Sequence, residues 1–297
     1  MQRLRTDTPD ASIAESIGAF PVLTRLGAAP LPDPAVVARF LETLREVSYP
    51  GYHGPSAACA TVDTQAFVAD RVPALAAMAQ QLVLASMGGA KGARAADAQR
   101  IAGEFIERIP AVRALLAADV EAAYRGDPSA RSREEIVLCY PGLYALTVHR
   151  YAHELLKLDV PLLPRMMTEM VHAATGIDLP PGAEIGAGVF IDHGTGVVIG
   201  ETCVIGEGCK IYQGVTLGVL RFERNPDGTP VKGVRRHPTL ERNVTIYANA
   251  TVLGGETIVG EGSTVASGVC LTRSVPPGHL VAGPRADIRV LPQPEAS

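Results

Sequence analysis

The stretch VVIGETCVIGEGCKIYQGVTLG, from Val197 to Gly218, carries an aliphatic residue at every sixth position. The repeating residues are Ile199, Ile205, Ile211 and Leu217. A second track of small residues lies four positions after the first three of these, at Cys203, Cys209 and Val215. This period predicts a parallel β-helix, in which each hexad gives one short strand and a turn. The aliphatic side chains then fill a narrow core.

The same period returns further along the chain, and at least ten hexads are readable in all. Its second run consists of Leu240, Ile246, Val252 and Ile258. The pattern then slips by one position, to Val259, Val265 and Leu271. Glycine follows three of the four positions of the first run, as expected where the chain turns and neighbouring coils approach closely.

One excursion, GVLRFERNPDGTPVKGVRRHPT, interrupts the repeat between Leu217 and Leu240. A long departure from a regular scaffold is usually a functional loop. This one carries Arg221, Arg224, Lys232, Arg235, Arg236 and His237. The first four of these fit contacts to phosphate groups and a solvated loop equally well.

The residues before about position 178 follow a different pattern. Ala, Leu, Arg and Glu recur at helical spacing in AVVARFLETLREV and PLLPRMMTEMVHAATG, with Pro and Gly between such segments. We therefore predict an α+β protein. Its parts are an α-helical domain over 1–177 (with 1–60 poorly assigned), a β-helix over 178–285 with a loop at 218–238, and a short tail over 286–297.

Composition excludes several classes of function. The 297 residues are 47% hydrophobic and 20% charged, which is typical of a globular protein. A net charge of −4 gives no reason to expect a nucleic acid or an anionic membrane as partner. Without Trp, and with 5% aromatic residues, the chain also has little surface on which bases could stack.

The apolar stretch Val72–Ala90 has no charge, but it is rich in Ala and contains two Gln residues, so we expect a buried helix and no membrane span. The first twenty residues contain no apolar core of the length that a signal peptide needs. The five cysteines form no CxxC pair, and an odd number suits a reduced compartment. We expect a cytoplasmic enzyme.

Two further pairs of residues either pack in the interior or carry chemistry. Cys203 and Cys209 lie on the small inward track, which favours apolar core residues over metal ligands or nucleophiles. His149 and His153 are four apart on a predicted helix, but with no third ligand in view helix packing is favoured. The sequence therefore predicts no metal site.

The stretch FIDHGTG, Phe190 to Gly196, places an acid and an imidazole inside the aliphatic repeat. The pair Asp192–His193 either forms a solvated turn or carries chemistry, because burying it unpaired would cost several kcal/mol. Asp178 lies fifteen residues earlier, near one coil of about eighteen, and could lie beside His193 on the adjacent coil. A carboxylate there would make the imidazole a competent general base. The histidine at the end of the excursion and the aspartate of RGDPSA add weight to the chemical alternative.

Several segments together resemble the serine O-acetyltransferases of the left-handed β-helix acyltransferase superfamily. They are YRGDPSA, CYPGLYALTVHRYAHEL, GIDLPPGAEIGAGVFIDHGTGVVIGETCVIGEGCKIYQGVTLG and RRHP. The resemblance covers roughly residues 120–285. It implies a left-handed β-helix and transfer of acetyl from acetyl-CoA to the hydroxyl of L-serine, the first step of cysteine biosynthesis. One departure is the excursion, which replaces a glycine-rich stretch resembling GGTGK by a longer and more charged one.

The resemblance also implies roles for individual residues. His193 matches the base that takes the proton from the serine hydroxyl, and Asp178 matches its orienting partner. Asp127 and Asp192 match the two acids that hold the amino group of serine.

The remaining matches concern the rest of the two substrates. Arg236 and His237 correspond to the pair that holds the serine carboxylate. Gly218 and Ala248 correspond to backbone positions along the groove that binds acetyl-CoA, which is a co-substrate and not a permanently bound cofactor. Since the motifs place no base beside a Cys or Ser, we expect direct attack without an acyl-enzyme.

The family assignment implies an oligomer, either a homotrimer or a dimer of trimers, and inhibition by cysteine. Many relatives end in an isoleucine that inserts into O-acetylserine sulfhydrylase. Here the tail ends LPQPEAS, at Ser297, which offers little apolar area, so no such complex is expected.

Two other activities fit the repeat. An acetyltransferase for a sugar or xenobiotic hydroxyl shares the fold and the base, but does not explain the coincidence of Asp127, Asp178 and RRHP. A γ-type carbonic anhydrase needs three zinc-binding histidines with a closely spaced pair. The repeat offers only His193, His237 and His279, which lack that spacing.

Overall fold

The structure, a computed structural model, describes residues 28–54, 63–88 and 93–284. Helices occupy the first half of this region and short parallel strands the second. The fold class is the one predicted: α-helices followed by a left-handed parallel β-helix. The expectations for residues 1–27, for Cys59 and for the tail 286–297 lie outside the described residues.

Six described helices form the N-terminal half, and three of them begin with a side-chain cap. They are α1 (Pro34–Ser48), α2 (Thr64–Ser86), α3 (Ala93–Gly126), α4 (Arg133–Cys139), α5 (Pro141–Lys157) and α6 (Leu163–Thr175). Asp33, Asp63 and Ser132 cap α1, α2 and α4 with side-chain oxygens that accept backbone N–H bonds. No described helix has the length and apolarity needed to cross a membrane, and the apolar stretch that begins at Val72 lies within α2 as far as Ser86.

In the described part of the chain, thirteen strands of two or three residues build the β-helix. They are β1 (Glu184–Ile185), β2 (Phe190–Asp192), β3 (Val198–Ile199), β4 (Val204–Ile205), β5 (Lys210–Tyr212), β6 (Thr216–Gly218), β7 (Thr239–Leu240), β8 (Thr245–Ile246), β9 (Thr251–Leu253), β10 (Ile258–Val259), β11 (Thr264–Val265), β12 (Cys270–Leu271) and β13 (Leu280–Val281).

Each turn of the β-helix contributes one strand to each of three parallel sheets. Face 1 has the order β1-β4-β7-β10, face 2 the order β2-β5-β8-β11-β13, and face 3 the order β3-β6-β9-β12. We name the edges by the faces they join in chain order: the 1–2, 2–3 and 3–1 corners.

The three sheets enclose a prism, and the aliphatic side chains of the hexads form its core. The first aliphatic run and its companion track of Cys203, Cys209 and Val215 are all buried, as predicted. The second run is confirmed with one correction. The slip occurs before Ile258, which is 39% exposed, whereas Val259 is completely buried. The extra residue lies in the turn between Val252 and Ile258, at the 3–1 corner.

The first turn at the 2–3 corner is longer than the next one. Five residues separate Asp192 from Val198, whereas three separate their register partners Tyr212 and Thr216. A regular hexad leaves no room for this, so the two added residues bulge from the prism. This enlarged turn contains His193.

A buried ion pair joins the helical half to the first coil. The Arg150 guanidinium of α5 donates to both oxygens of Asp119 in α3, at 2.7 and 2.8 Å. It also donates to the carbonyl oxygens of Ile185 and Gly186. Asp119 in turn accepts from the backbone N–H of Val189. The helices are therefore fixed against the coil that leads into β2.

Candidate active site

The helical half makes two close backbone approaches to β2, just before Asp192. A Cβ at Gly142, in the first turn of α5, would lie 2.1 Å from the carbonyl oxygen of Ile191. A Cβ at Gly126, the last residue of α3, would lie 2.8 Å from the ring of Phe190. Glycine at both positions lets the helix ends rest directly on the strand. The segment between α3 and α5, which contains Asp127 and α4, therefore lies beside the end of β2.

His193 projects from the enlarged turn into solvent. Its backbone has φ of 57°, in the left-handed region, which turns the chain sharply after Asp192. The side chain is 70% exposed, and its Nδ1 lies 3.9 Å from Oδ1 of Asp192. The imidazole is thus accessible to a ligand and has a carboxylate close by.

Asp127 is held beside this pair as an ionised hydrogen-bond acceptor. Its Oδ1 accepts from the Ser129 N–H at 2.8 Å and the Ser129 hydroxyl at 2.5 Å, and its Oδ2 accepts from the Tyr140 hydroxyl at 2.5 Å. The Ser129 hydrogen bond is the main reason that the pKa of Asp127 lies below its usual range. The Tyr140 hydrogen bond and the nearby His193 lower it further.

Tyrosine rings form a wall on the same corner. Tyr212 pairs in register with Asp192, and its ring stacks on that of Tyr247 with centroids 5.0 Å apart. Burial raises the pKa of Tyr212, and the negative charge of Asp192 raises it further. The 2–3 corner therefore presents two carboxylates and an imidazole against an aromatic wall. Such a set suits a ligand with an ammonium group and a proton to lose.

Asp178 does not contact His193 in this structure. Its backbone pairs with Val198, beyond the enlarged turn. Its carboxylate lies instead near Glu169 and His172 of α6, with the three potential metal-ligating atoms within 4.8 Å of one another. Glu169 already forms an ion pair with Arg165. The predicted Asp178–His193 pair is therefore not formed in this structure.

Arg236 and His237 lie at the 3–1 corner, where the excursion ends. His237 is only 7% exposed, and its ring lies flat against Gly200, where a Cβ would be 2.0 Å from Cδ2. Its Nδ1 is 3.1 Å from the Thr202 N–H nitrogen and 2.9 Å from the Thr202 hydroxyl. Burial, and then the Arg236 charge, lower the pKa of His237 to about 4.

Seven of the eight predicted site residues thus fall into two groups on one chain, and Asp178 belongs to neither. Asp127, Asp192, His193 and Ala248 lie at the 2–3 corner, and Gly218, Arg236 and His237 at the 3–1 corner. Strand β3 lies between them on face 3. A single chain therefore presents each half of the predicted serine site at a different edge.

The excursion makes mostly local contacts. Arg224 donates to the Gly228 carbonyl at 2.7 Å, and Arg235 donates to the Thr239 hydroxyl. A cavity of about 250 Å³ separates the excursion from the coil and is lined by Leu220, Phe222 and other residues. That the Arg and Lys side chains of the excursion contact phosphate groups stays a prediction.

The two cysteines and two histidines for which packing was favoured over chemistry are packing residues in the structure. Burial raises the thiol pKa of Cys203 to about 12 and that of Cys209 to about 11, so neither is a ready nucleophile. His149 is buried and stacks on His153 with ring centroids 5.8 Å apart. His153 bonds to the Pro181 carbonyl oxygen at 2.8 Å.

Three further residues, for which the sequence predicts no role, belong to these groups in the structure. Tyr140 and Ser129 hold Asp127, and Thr202 holds the end of the excursion. No local signal points to the first of these, because Tyr140 lies 13 residues after Asp127, with α4 between them. Nothing in the hexad containing Thr202 distinguishes it from other turn residues.

Solved structures with the same architecture include serine acetyltransferases. Serine acetyltransferase 1 of Entamoeba histolytica, in complex with L-cysteine, aligns with a TM-score of 0.73 and 36% identity, covering 82% of this chain and 85% of that one. The serine acetyltransferase of Neisseria gonorrhoeae, in complex with serine, aligns with a TM-score of 0.57 and 25% identity, covering 84% and 97%.

Similar curated sequences are also serine acetyltransferases. A plasmid-encoded serine acetyltransferase of Synechococcus elongatus is 44% identical over 192 residues, which are 65% of this chain and 59% of that protein. The serine acetyltransferase of Mycobacterium tuberculosis is 42% identical over 165 residues, 56% of this chain and 68% of that protein. Among the first relatives, the chain spans 48–59% of their lengths. No protein-family model matches the chain.

Proposed function

Since the chain belongs to the serine acetyltransferase family, we propose that it transfers the acetyl group of acetyl-CoA to the hydroxyl of L-serine. The products are O-acetyl-L-serine and coenzyme A, and the reaction is the first step of cysteine biosynthesis. The cytoplasm is the proposed compartment.

The observation that carries this proposal is the group of Asp127, Asp192 and His193 at the 2–3 corner. Two carboxylates provide acceptors for the serine ammonium, and the hydrogen bonds to Asp127 keep that acid ionised. The exposed imidazole lies on the same side. A bound amino acid would therefore bring its hydroxyl to a base while its ammonium stays paired.

In the proposed reaction, His193 takes the proton from the serine hydroxyl as the oxygen attacks the thioester carbonyl. A C–O bond forms, and the tetrahedral intermediate collapses with cleavage of the C–S bond. The protonated imidazole then returns the proton to the coenzyme A thiolate. The role proposed for Asp178 is to stabilise the imidazolium, which requires its carboxylate to leave Glu169 and His172 and approach the ring. Direct transfer needs no protein nucleophile, in line with the raised thiol pKa values of Cys203 and Cys209.

Arg236 and His237 are the proposed contacts for the serine carboxylate. Because they lie at the 3–1 corner, they can complete the site only when the 3–1 corner of one chain meets the 2–3 corner of another. Such a heterologous contact closes into a ring when the rotation is threefold. We therefore propose a homotrimer, with dimers of trimers as an extension through the helical half. Gly218 and Ala248 would then face each other across the subunit boundary and line the acetyl-CoA groove.

Cysteine is the proposed inhibitor. It carries the same ammonium and carboxylate groups as serine and differs by one atom, so a site that pairs those groups does not easily reject it. The Entamoeba relative was crystallised with L-cysteine.

The substrate assignment is tested by thiol release from acetyl-CoA in the presence of serine or of a panel of sugars. We expect serine-dependent release that falls by about two to four orders of magnitude in His193→Asn. His279→Asn is a matched control, because this exposed histidine lies beyond the site. Release with sugars and not with serine would replace the proposal by the second acetyltransferase activity.

The shared site has its own test. Inactive His193→Asn chains and inactive His237→Asn chains are unfolded together and refolded as a mixture. Mixed trimers contain some boundaries with both native histidines, so activity should reappear. Continued inactivity in mixtures proven by mass spectrometry to contain both chains would exclude a site shared between subunits.

A further inference from the structure

The hydroxyl of Thr202 lies at the centre of the segment that ends the excursion. Its Oγ accepts from the backbone N–H of Arg236 at 3.0 Å and from that of His237 at 3.2 Å. The same oxygen lies 2.9 Å from Nδ1 of His237. Because a hydroxyl has two acceptor sites and one proton, these three contacts use its full capacity, and the proton points at Nδ1.

A second contact fixes which imidazole nitrogen carries the hydrogen. The Thr202 backbone N–H lies 3.1 Å from Nδ1 of His237, and a backbone N–H can only donate. Nδ1 is therefore the unprotonated acceptor, and the hydrogen of the neutral ring lies on Nε2. Burial, the main cause, and the neighbouring Arg236 charge hold the pKa of the ring well below neutral.

The Nε2–H group remains available to a ligand. In the described ranges 28–54, 63–88 and 93–284, no hydrogen bond joins it to a protein atom, and it is not among the fully buried unpaired atoms. The ring cannot move toward the coil, because it already lies against the Cα of Gly200. The imidazole of His237 is thus held in one orientation and presents a single donor, Nε2–H.

We propose that Thr202 is a positioning residue that holds His237 as a neutral donor, with Nε2–H directed at the carboxylate of the amino-acid substrate. Arg236 then supplies the positive charge, and His237 supplies direction without a second charge. This inference rests on the proposed function, since it names the substrate group that Nε2–H meets.

The proton state is tested without any assay of activity. Nitrogen NMR of the full-length protein labelled with ¹⁵N-histidine, compared with His237→Asn for assignment, reports which nitrogen of His237 carries hydrogen. At pH 7 we expect a neutral ring with hydrogen on Nε2. Hydrogen on Nδ1, or a doubly protonated ring, would overturn the proposal.

The positioning role is tested by kinetics. Thr202→Val keeps the shape of the side chain but leaves two backbone N–H groups and Nδ1 without their hydroxyl partner. The serine KM should rise about 10- to 100-fold, with kcat and the acetyl-CoA KM little changed. Thr202→Ser should restore the serine KM. Thr264→Val, in β11, is the control, since no hydrogen bond of its side chain is recorded among the described residues.

The outcomes separate the two proposals. An unchanged serine KM in Thr202→Val, or an equal loss in kcat and in both KM values, would contradict positioning. If the wild-type protein shows no serine-dependent thiol release, the proposed function fails, and the NMR experiment still decides the state of His237.

Discussion

The ion pair between Arg150 and Asp119 gives the most quantitative prediction for stability. Both side chains are at most 3% exposed, and Arg150 makes four hydrogen bonds that join α5 to α3 and to two carbonyls of the first coil. Arg150→Met removes all four at once. It leaves the Asp119 carboxylate buried without its counterion, although the backbone N–H groups of Gly188 and Val189 still donate to it.

Removing one partner of a buried ion pair costs about 3–5 kcal/mol. For a chain of this size each kcal/mol lowers the melting temperature by about 2 °C, so Arg150→Met should melt about 6–10 °C below wild type. The double variant Asp119→Leu/Arg150→Met has no unpaired charge left. It should recover most of the loss, because an apolar replacement of a buried pair is often neutral or stabilising.

Thermal denaturation followed by circular dichroism measures these shifts. Arg100→Met serves as the control, because it removes only exposed pairs, with Asp97 and Glu104 on the same helix. Such a pair contributes about 0.5 kcal/mol or less. The reasoning is refuted if Arg150→Met melts within 2 °C of wild type, or if the double variant is less stable than either single one.

Three shorter predictions concern pH and the 2–3 corner. Burial lowers the pKa of His149 to about 3, so between about pH 6.5 and 3 the unfolded chain binds a proton that the folded protein does not. The free energy of unfolding should therefore fall by about 1.4 kcal/mol per pH unit on acidification. Urea unfolding of His149→Gln should show a smaller dependence of this free energy on pH; an equal dependence would mean that another group causes it. Tyr140→Phe removes a hydrogen bond to Asp127, so the serine KM should rise about tenfold while the acetyl-CoA KM stays constant; equal changes in both would indicate a general distortion. Gly142→Ala places a Cβ against the Ile191 carbonyl and should lower kcat/KM about 100-fold, since a shift of about 1 Å at the site has that effect; wild-type kcat/KM would mean that α5 does not position the site.

The β-helix was predictable because its signal is strictly periodic. Each aliphatic position of the hexad has one environment, the core of the prism, and burial there is nearly complete. The sequence even revealed the slip near Val259, although it placed the extra residue too late. Ile258 and Val259 are both apolar, and hydrophobicity alone does not say which of two neighbours points inward.

The site was only partly predictable, for a different reason. Asp192 and His193 stand out because they break an aliphatic pattern, and Asp127 because it lies in an Asp-Pro turn. Tyr140 and Thr202 act through their hydroxyl groups at contacts between distant segments, which no local pattern records. The spacing of Asp178 and His193 suggested adjacency, yet the enlarged turn after His193 changes the register of that coil: Asp178 pairs with Val198, twenty residues on, where eighteen were assumed.

The five-residue turn between Asp192 and Val198 also bears on protein engineering. Consensus design of repeat proteins averages the repeats and removes irregular lengths, usually with a gain in stability. Applied to this chain, that procedure would shorten the turn to match its neighbour between Tyr212 and Thr216. The product would be a more uniform solenoid from which the loop presenting His193 had been removed. Optimisation of this scaffold should therefore treat the irregular turn as a fixed insertion and confine averaging to the later coils.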